Sequence, residues 1–135
     1  MSSLHILLMD DCDAVRNGIR DLLSSYSDWT ICQESKDGVE ATGKATQLRP
    51  DILLMDTSVP RMGGVRATPI IRRDLPECEV IIVTQNDASI ARQQAAEAGA
   101  TGFVTKAKLP QDLVPALEKL SSRRSSGVVH QCQLG

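Results

Sequence analysis

Five short apolar runs, each followed by a stretch with helical spacing, constrain this 135-residue chain more than any other feature. LHILLM at Leu4–Met9 is the first run, and behind it Val15, Ile19, Leu22 and Leu23 recur at i, i+4, i+7 and i+8 within Ala14–Ser25, the period of an amphipathic helix. Thr30–Ser35 is a second, weaker strand. Asp37, with Glu40 three residues on, makes a capping-box-like start for a helix that runs to about Arg49, where Pro50 ends it. Ile52–Met55 is the most uniformly apolar run, as expected for the middle of a parallel sheet covered on both faces. Val65–Arg73 again has helical spacing, but Pro69 removes one donor and biases Thr68 away from helix, so a kink or a late start is expected there. A strand at Val80–Val83, a helix at Ser89–Ala98 ended by Gly99, a strand at Gly102–Thr105 and a helix from about Pro110 to Leu120 complete the order.

Such an alternation predicts an α/β fold, a right-handed doubly wound parallel sheet of five strands. In sheets of this kind ligands bind beyond the carboxyl ends of the strands. Those ends carry Asp10 and Asp11 after the first run, Asp56 after the third, Thr84 after the fourth and Lys106 after the fifth. Residues 121–135 are rich in Ser and Arg and lack apolar periodicity. They read as a flexible C-terminal tail or truncated linker behind a domain at 1–120.

A chain of this length buries enough surface to fold without disulfide or zinc. Cys12, Cys32, Cys78 and Cys132 form no CxxC pair and have no His at zinc-finger spacing, so they read as reduced thiols. Trp29, Tyr26 and Phe103 are the only aromatic residues, and 15 Lys and Arg against 17 Asp and Glu leave a net charge of −2. Few stacking platforms and no basic field argue against direct nucleic-acid binding or an anionic membrane partner. The N-terminal apolar stretch is too short for a signal peptide, and no run approaches the ~18 to 20 apolar residues of a membrane helix. The expected location is cytoplasmic.

Converging Asp10, Asp11 and Asp56 would repel one another unless a cation neutralises them. An all-oxygen set without His or Cys suits Mg²⁺, with Mn²⁺ as the alternative, better than zinc. An aspartate on such a metal can attack a phosphoryl group, while Lys106 and Thr84 offer a charge and a hydroxyl to the incoming anion. Neither is a strong base. The expected chemistry is therefore transfer to Asp56 itself and slow hydrolysis, not the turnover of a small substrate.

The acidic pair in LLMDD, the block LLMDTSVPRMGG around Asp56, the VT at Val83 and Thr84, and GATGFVTK ending in Lys106 stand in order along the chain. Together they resemble the receiver domain of two-component response regulators, CheY-like in fold, over about Leu4 to Leu120. The wording of GATGFVTK and the Gln- and Ala-rich fourth helix are most similar to receivers attached to a helix-turn-helix transcription domain. The resemblance implies a flavodoxin-like (βα)5 sheet of order 2-1-3-4-5 and Asp56 as phosphoacceptor. It implies that Asp11, Asp56 and the backbone carbonyl of Ser58 hold the metal directly, with Asp10 acting largely through water. Thr84 and Phe103 would form the switch, and Ser58 and Asn86 would tune hydrolysis. The implied partner is a sensor histidine kinase or phosphotransfer protein, and the modified state is expected to be read by another protein or by a second copy, as a homodimer, through the face of the fourth helix, fifth strand and fifth helix.

The chain departs from the family pattern at Gln85, where a small residue is usual, at Ala107, where many members have Pro, and at Val59 and Gly63, where Met and Asp are common. Phe103 also lacks the hydroxyl of a Tyr. Two other readings stand beside this one. A haloacid-dehalogenase-type phosphatase shares the Asp nucleophile, Mg²⁺, Thr and Lys, but needs a second Asp two residues on, where this chain has Ser58. A receiver-like binding module that is never phosphorylated keeps the fold without the chemistry. His5 and His130 have no evident ligand partners, and Trp29 reads as a packing residue far from the site.

Overall fold

The computed structural model describes residues 3–57, 62–85 and 89–134, with side chains described as far as Arg123. Five strands alternate with five helices: β1 (Leu4–Met9), α1 (Asp13–Leu23), β2 (Trp29–Ser35), α2 (Gly38–Leu48), β3 (Ile52–Asp56), α3 (Gly64–Asp74), β4 (Glu79–Thr84), α4 (Ser89–Ala98), β5 (Gly102–Thr105) and α5 (Leu109–Leu134). The strands form one parallel sheet in the order β2-β1-β3-β4-β5. Every residue of the central β3 is buried, as its unbroken apolar run required.

Alternate strand residues feed two separate cores. Ile6, Leu8, Ile52, Leu54, Ile81 and Val83 face Ile19 and Leu23 of α1 and Leu113 and Leu117 of α5. Leu7, Met9, Leu53, Met55, Val80 and Ile82 face the smaller Ala41, Ala45, Ala67 and Ala95, contributed by α2, α3 and α4. Burying each of these Leu, Ile and Val side chains is worth roughly 1.5–3 kcal/mol. With so few aromatics, aliphatic packing on both faces holds the sheet.

Local signals act as the sequence suggested at the second helix. The Asp37 carboxylate accepts from the Glu40 amide at 2.9 Å, and Glu40 Oε1 accepts from the Lys36 amide at 3.3 Å. Gly99 closes α4 with φ of 105°, a left-handed conformation in which glycine is favoured.

One stretch differs from expectation. α3 begins at Gly64 and passes through Pro69 without a late start. The Thr68 hydroxyl donates to the Gly64 carbonyl at 2.6 Å, and burial of Ala67 and Ile71 opposes a proline cost of roughly 3 kcal/mol. The backbone of α5 is helical to Leu134. Helix propagation adds one hydrogen bond per residue and needs no apolar face.

Gly63 lies where the chain returns from the loop after β3, and a Cβ there would stand 2.1 Å from the Thr57 carbonyl oxygen. Gly18, within α1, has nothing within 4 Å of such a Cβ. Gly63→Ala should therefore cost about 1–3 kcal/mol by overpacking. Gly18→Ala should add about 0.5–1 kcal/mol through helix propensity. Urea unfolding of both variants checks the contrast, and equal effects would contradict it.

Candidate functional site at the carboxyl edge of the sheet

Strand register brings the chemistry together. Met9 pairs with Met55, so Asp10 follows β1 beside Asp56 at the end of β3. Asp56 pairs with Val83 and Thr84 with Thr105, which sets Thr84 and Lys106 along the same edge. Carboxylate oxygens of Asp10, Asp11 and Asp56 lie within 4.8 Å of one another. Asp10 and Asp56 are only 1% and 2% exposed, whereas Asp11 faces solvent.

Lys106 is the cation set against this cluster. Its Nζ lies 3.1 Å from Asp10 Oδ2 and 3.4 Å from Asp56 Oδ2. Burial alone would lower the ammonium's pKa. The hydrogen bond with Asp10 and the charges of Asp56 and Asp10 outweigh that effect and hold Lys106 above its ordinary range. The Asp10 carboxylate is further fixed by the Cys12 amide at 2.9 Å. Three carboxylates within 4.8 Å against one ammonium leave the pocket negative, and its oxygen-only donor set fits a small divalent cation.

Thr84 is 2% exposed, and its hydroxyl accepts a hydrogen bond from the Thr57 hydroxyl at 2.9 Å. Phe103 is half-buried against the α4 side of the sheet, with the Arg92 guanidinium 4.4 Å from its ring centroid. That separation is a cation–π contact. Gln85, the unusual residue after Thr84, is exposed. Ser58 and Asn86 lie outside the described residues.

The edge thus gathers Asp10, Asp11, Asp56, Thr84 and Lys106, as the strand ends implied, and sets Phe103 two residues before Thr105 on the neighbouring strand. Thr57 escaped the sequence reading. Its only sequence signal was a second hydroxyl directly after Asp56, and its partner is 27 residues away. Trp29 lies at the opposite end of β2, where its Nε1 donates to Ser121 Oγ at 3.0 Å.

The sequence model of the response regulator receiver domain matches residues 6–118. The chain belongs to this family. It is 35% identical over 123 residues to response regulator protein VraR of Staphylococcus aureus, covering 91% of this chain and 59% of VraR. The receiver thus spans about three-fifths of the length of that relative. Among solved structures, it resembles a LuxR-family two-component response regulator from Aurantimonas sp. SI85-9A1, with a TM-score of 0.84, 36% identity, and coverage of 90% of this chain and 87% of that one. The response regulator domain of Thermotoga maritima CheB gives a TM-score of 0.78 at 27% identity, covering 89% of this chain and 95% of that domain. Among the described residues, no helix of the receiver is long and apolar enough to cross a membrane.

The raised pKa of Lys106 sets a sign for stability. A lysine stabilised in its charged form contributes fully below the ordinary value of 10.5 and loses that contribution as pH rises through the higher folded-state value. In metal-free buffer at pH 8, Lys106→Met should lower unfolding stability by about 2 kcal/mol. The gap between the two proteins should close above pH 10.5. A gap that stays constant with pH would show that the charge pair contributes nothing.

Proposed function

We propose that this receiver domain takes a phosphoryl group onto Asp56 in a reaction that depends on Mg²⁺, with residues 1–120 as the phosphoacceptor unit and 121–135 as a tail or linker. The supporting observation is the cluster of Asp10, Asp11 and Asp56, two of them buried, with Lys106 bridging Asp10 and Asp56. Asp11, Asp56 and the Ser58 carbonyl would hold the metal directly, and Asp10 through water. When bound, Mg²⁺ (or Mn²⁺) would offset the carboxylate charge and the charge on the transferring oxygens.

Asp56 is the nucleophile: one carboxylate oxygen forms a bond to phosphorus as the donor's leaving atom departs, the imidazole nitrogen of a phosphohistidine or the bridging oxygen of acetyl phosphate, giving an acyl phosphate. Lys106 then pairs with a phosphoryl oxygen, exchanging one anion for another. Thr84 turns its hydroxyl toward the same group, which requires it to part from Thr57. The space it leaves admits Phe103, drawing the ring from under Arg92. Ser58 and Asn86 tune the water that later hydrolyses the acyl phosphate. The receiver is not a catalyst for a separate substrate.

A sensor histidine kinase or phosphotransfer protein is the donor. Output passes through the face of α4, β5 and α5, where Ile90 is 67% exposed, to a second copy or another protein. Direct nucleic-acid binding by this chain and membrane association have no part in the proposal.

Intact-protein mass after incubation with acetyl phosphate tests it. One phosphoryl adduct that requires Mg²⁺ and disappears in Asp56→Asn is expected. No adduct on folded wild-type protein would overturn the reading and favour a module that acts without phosphorylation.

A further inference from the structure

Arg16 reaches the acidic pocket from behind. α1 starts at Asp13 with Cys12 in the N-cap position, its backbone extended (φ −99°, ψ 115°) and without a side-chain cap. A thiol is a poor acceptor for the first helical amides. One turn later the Arg16 guanidinium folds back over the same loop. Its Nη1 donates to the Asp10 carbonyl at 2.6 Å, its Nε to Glu34 Oε1 at 3.0 Å, and its Nη2 to the Asp13 carboxylate. The Arg16 side chain is 11% exposed and that of Glu34 20%.

Glu34 meets Arg16 because β2 carries one extra residue. Ile6 pairs with Ile31 but Leu7 pairs with Gln33, so Cys32 is bulged out of the ladder. A one-residue slip reverses which face each later side chain occupies. Glu34 therefore pairs with Leu8, whose side chain packs on the α1 side of the sheet. Arg20 lies against its other oxygen, and Lys44 Nζ donates to its backbone carbonyl at 2.5 Å.

The Asp10 carbonyl belongs to the peptide plane that carries the Asp11 amide, so fixing that oxygen fixes the plane from which Asp11 projects. Among the described residues, no hydrogen bond holds the exposed Asp11 carboxylate itself. We propose that Arg16, held by Glu34, is the positioning residue of the acidic pocket, setting the direction in which Asp10 and Asp11 face a divalent cation. This rests on the reading of the pocket as a Mg²⁺ site.

Calorimetric Mg²⁺ titration of the wild type, Arg16→Lys, Glu34→Gln and the double variant tests the role, with melting of each metal-free protein alongside. Lysine keeps the charge but loses the planar fork. Arg16→Lys should weaken Mg²⁺ binding about tenfold, the low end of the effect of outer partners on metal sites. Glu34→Gln should weaken it less, and the double variant no more than Arg16→Lys, because the two residues act as one unit. If Arg16→Lys fails to fold, Glu34→Gln carries the test alone. Wild-type affinity in folded Arg16→Lys or, in that event, in Glu34→Gln overturns the positioning role and leaves the Mg²⁺ site standing. Absence of Mg²⁺ binding by the wild type overturns both.

Discussion

Three carboxylates at one sheet edge, with a single lysine bridging two of them, are the constraint on which the rest of this receiver depends. Asp10 and Asp56 are removed from water, which is costly for charged groups without compensation. The fold tolerates them because Lys106 pairs with both and the Cys12 amide donates to Asp10. The parallel order places β1 beside β3 and β4 beside β5, so carboxylates and lysine come from different crossings of the chain and meet only in the folded state. An antiparallel arrangement would carry alternate strand ends to opposite edges and disperse the site.

Around this edge different contacts hold the two sides. On the α1 side, Arg16, Glu34 and the bulged β2 brace the loop that bears Asp10 and Asp11. On the α4 side, Thr84 is tied through a hydroxyl pair to Thr57, and Phe103 is covered by an exposed arginine rather than sealed in the core. Hydroxyl exchange and a partly solvated cation–π contact are each worth on the order of 1 kcal/mol. Contacts of that size suit the proposed rearrangement of Thr84 and Phe103 on phosphorylation of Asp56. The small alanines that α2, α3 and α4 present to the sheet contrast with the larger aliphatic residues of α1 and α5.

Much of this was legible in the sequence because the signals are local. The bounds of β1, α4 and β5 follow from apolar runs and a terminating glycine, and the residue just past each run falls where strand direction puts it. What escaped was non-local or depended on competition between effects. Pro69 reads as a breaker, but tertiary burial of Ala67 and Ile71 keeps α3 continuous. Gly63 looks like a loop substitution until the Thr57 carbonyl is found against it. The slip at Cys32 leaves no mark in periodicity, yet it decides which face Glu34 occupies, and so whether Arg16 has a partner. Thr57 and Arg92 carry ordinary local signals, and only strand order gives them Thr84 and Phe103.

Three carboxylates this close repel one another, and a bound divalent cation would relieve that repulsion. Thermal unfolding of the wild type and Asp56→Asn, each with chelator and with saturating Mg²⁺, tests this most directly. Repulsion among the three carboxylates predicts that Asp56→Asn melts higher than the wild type in chelator, and that Mg²⁺ raises the melting temperature of the wild type more than that of the variant. A variant that melts lower in chelator, together with a wild type indifferent to Mg²⁺, would contradict the account.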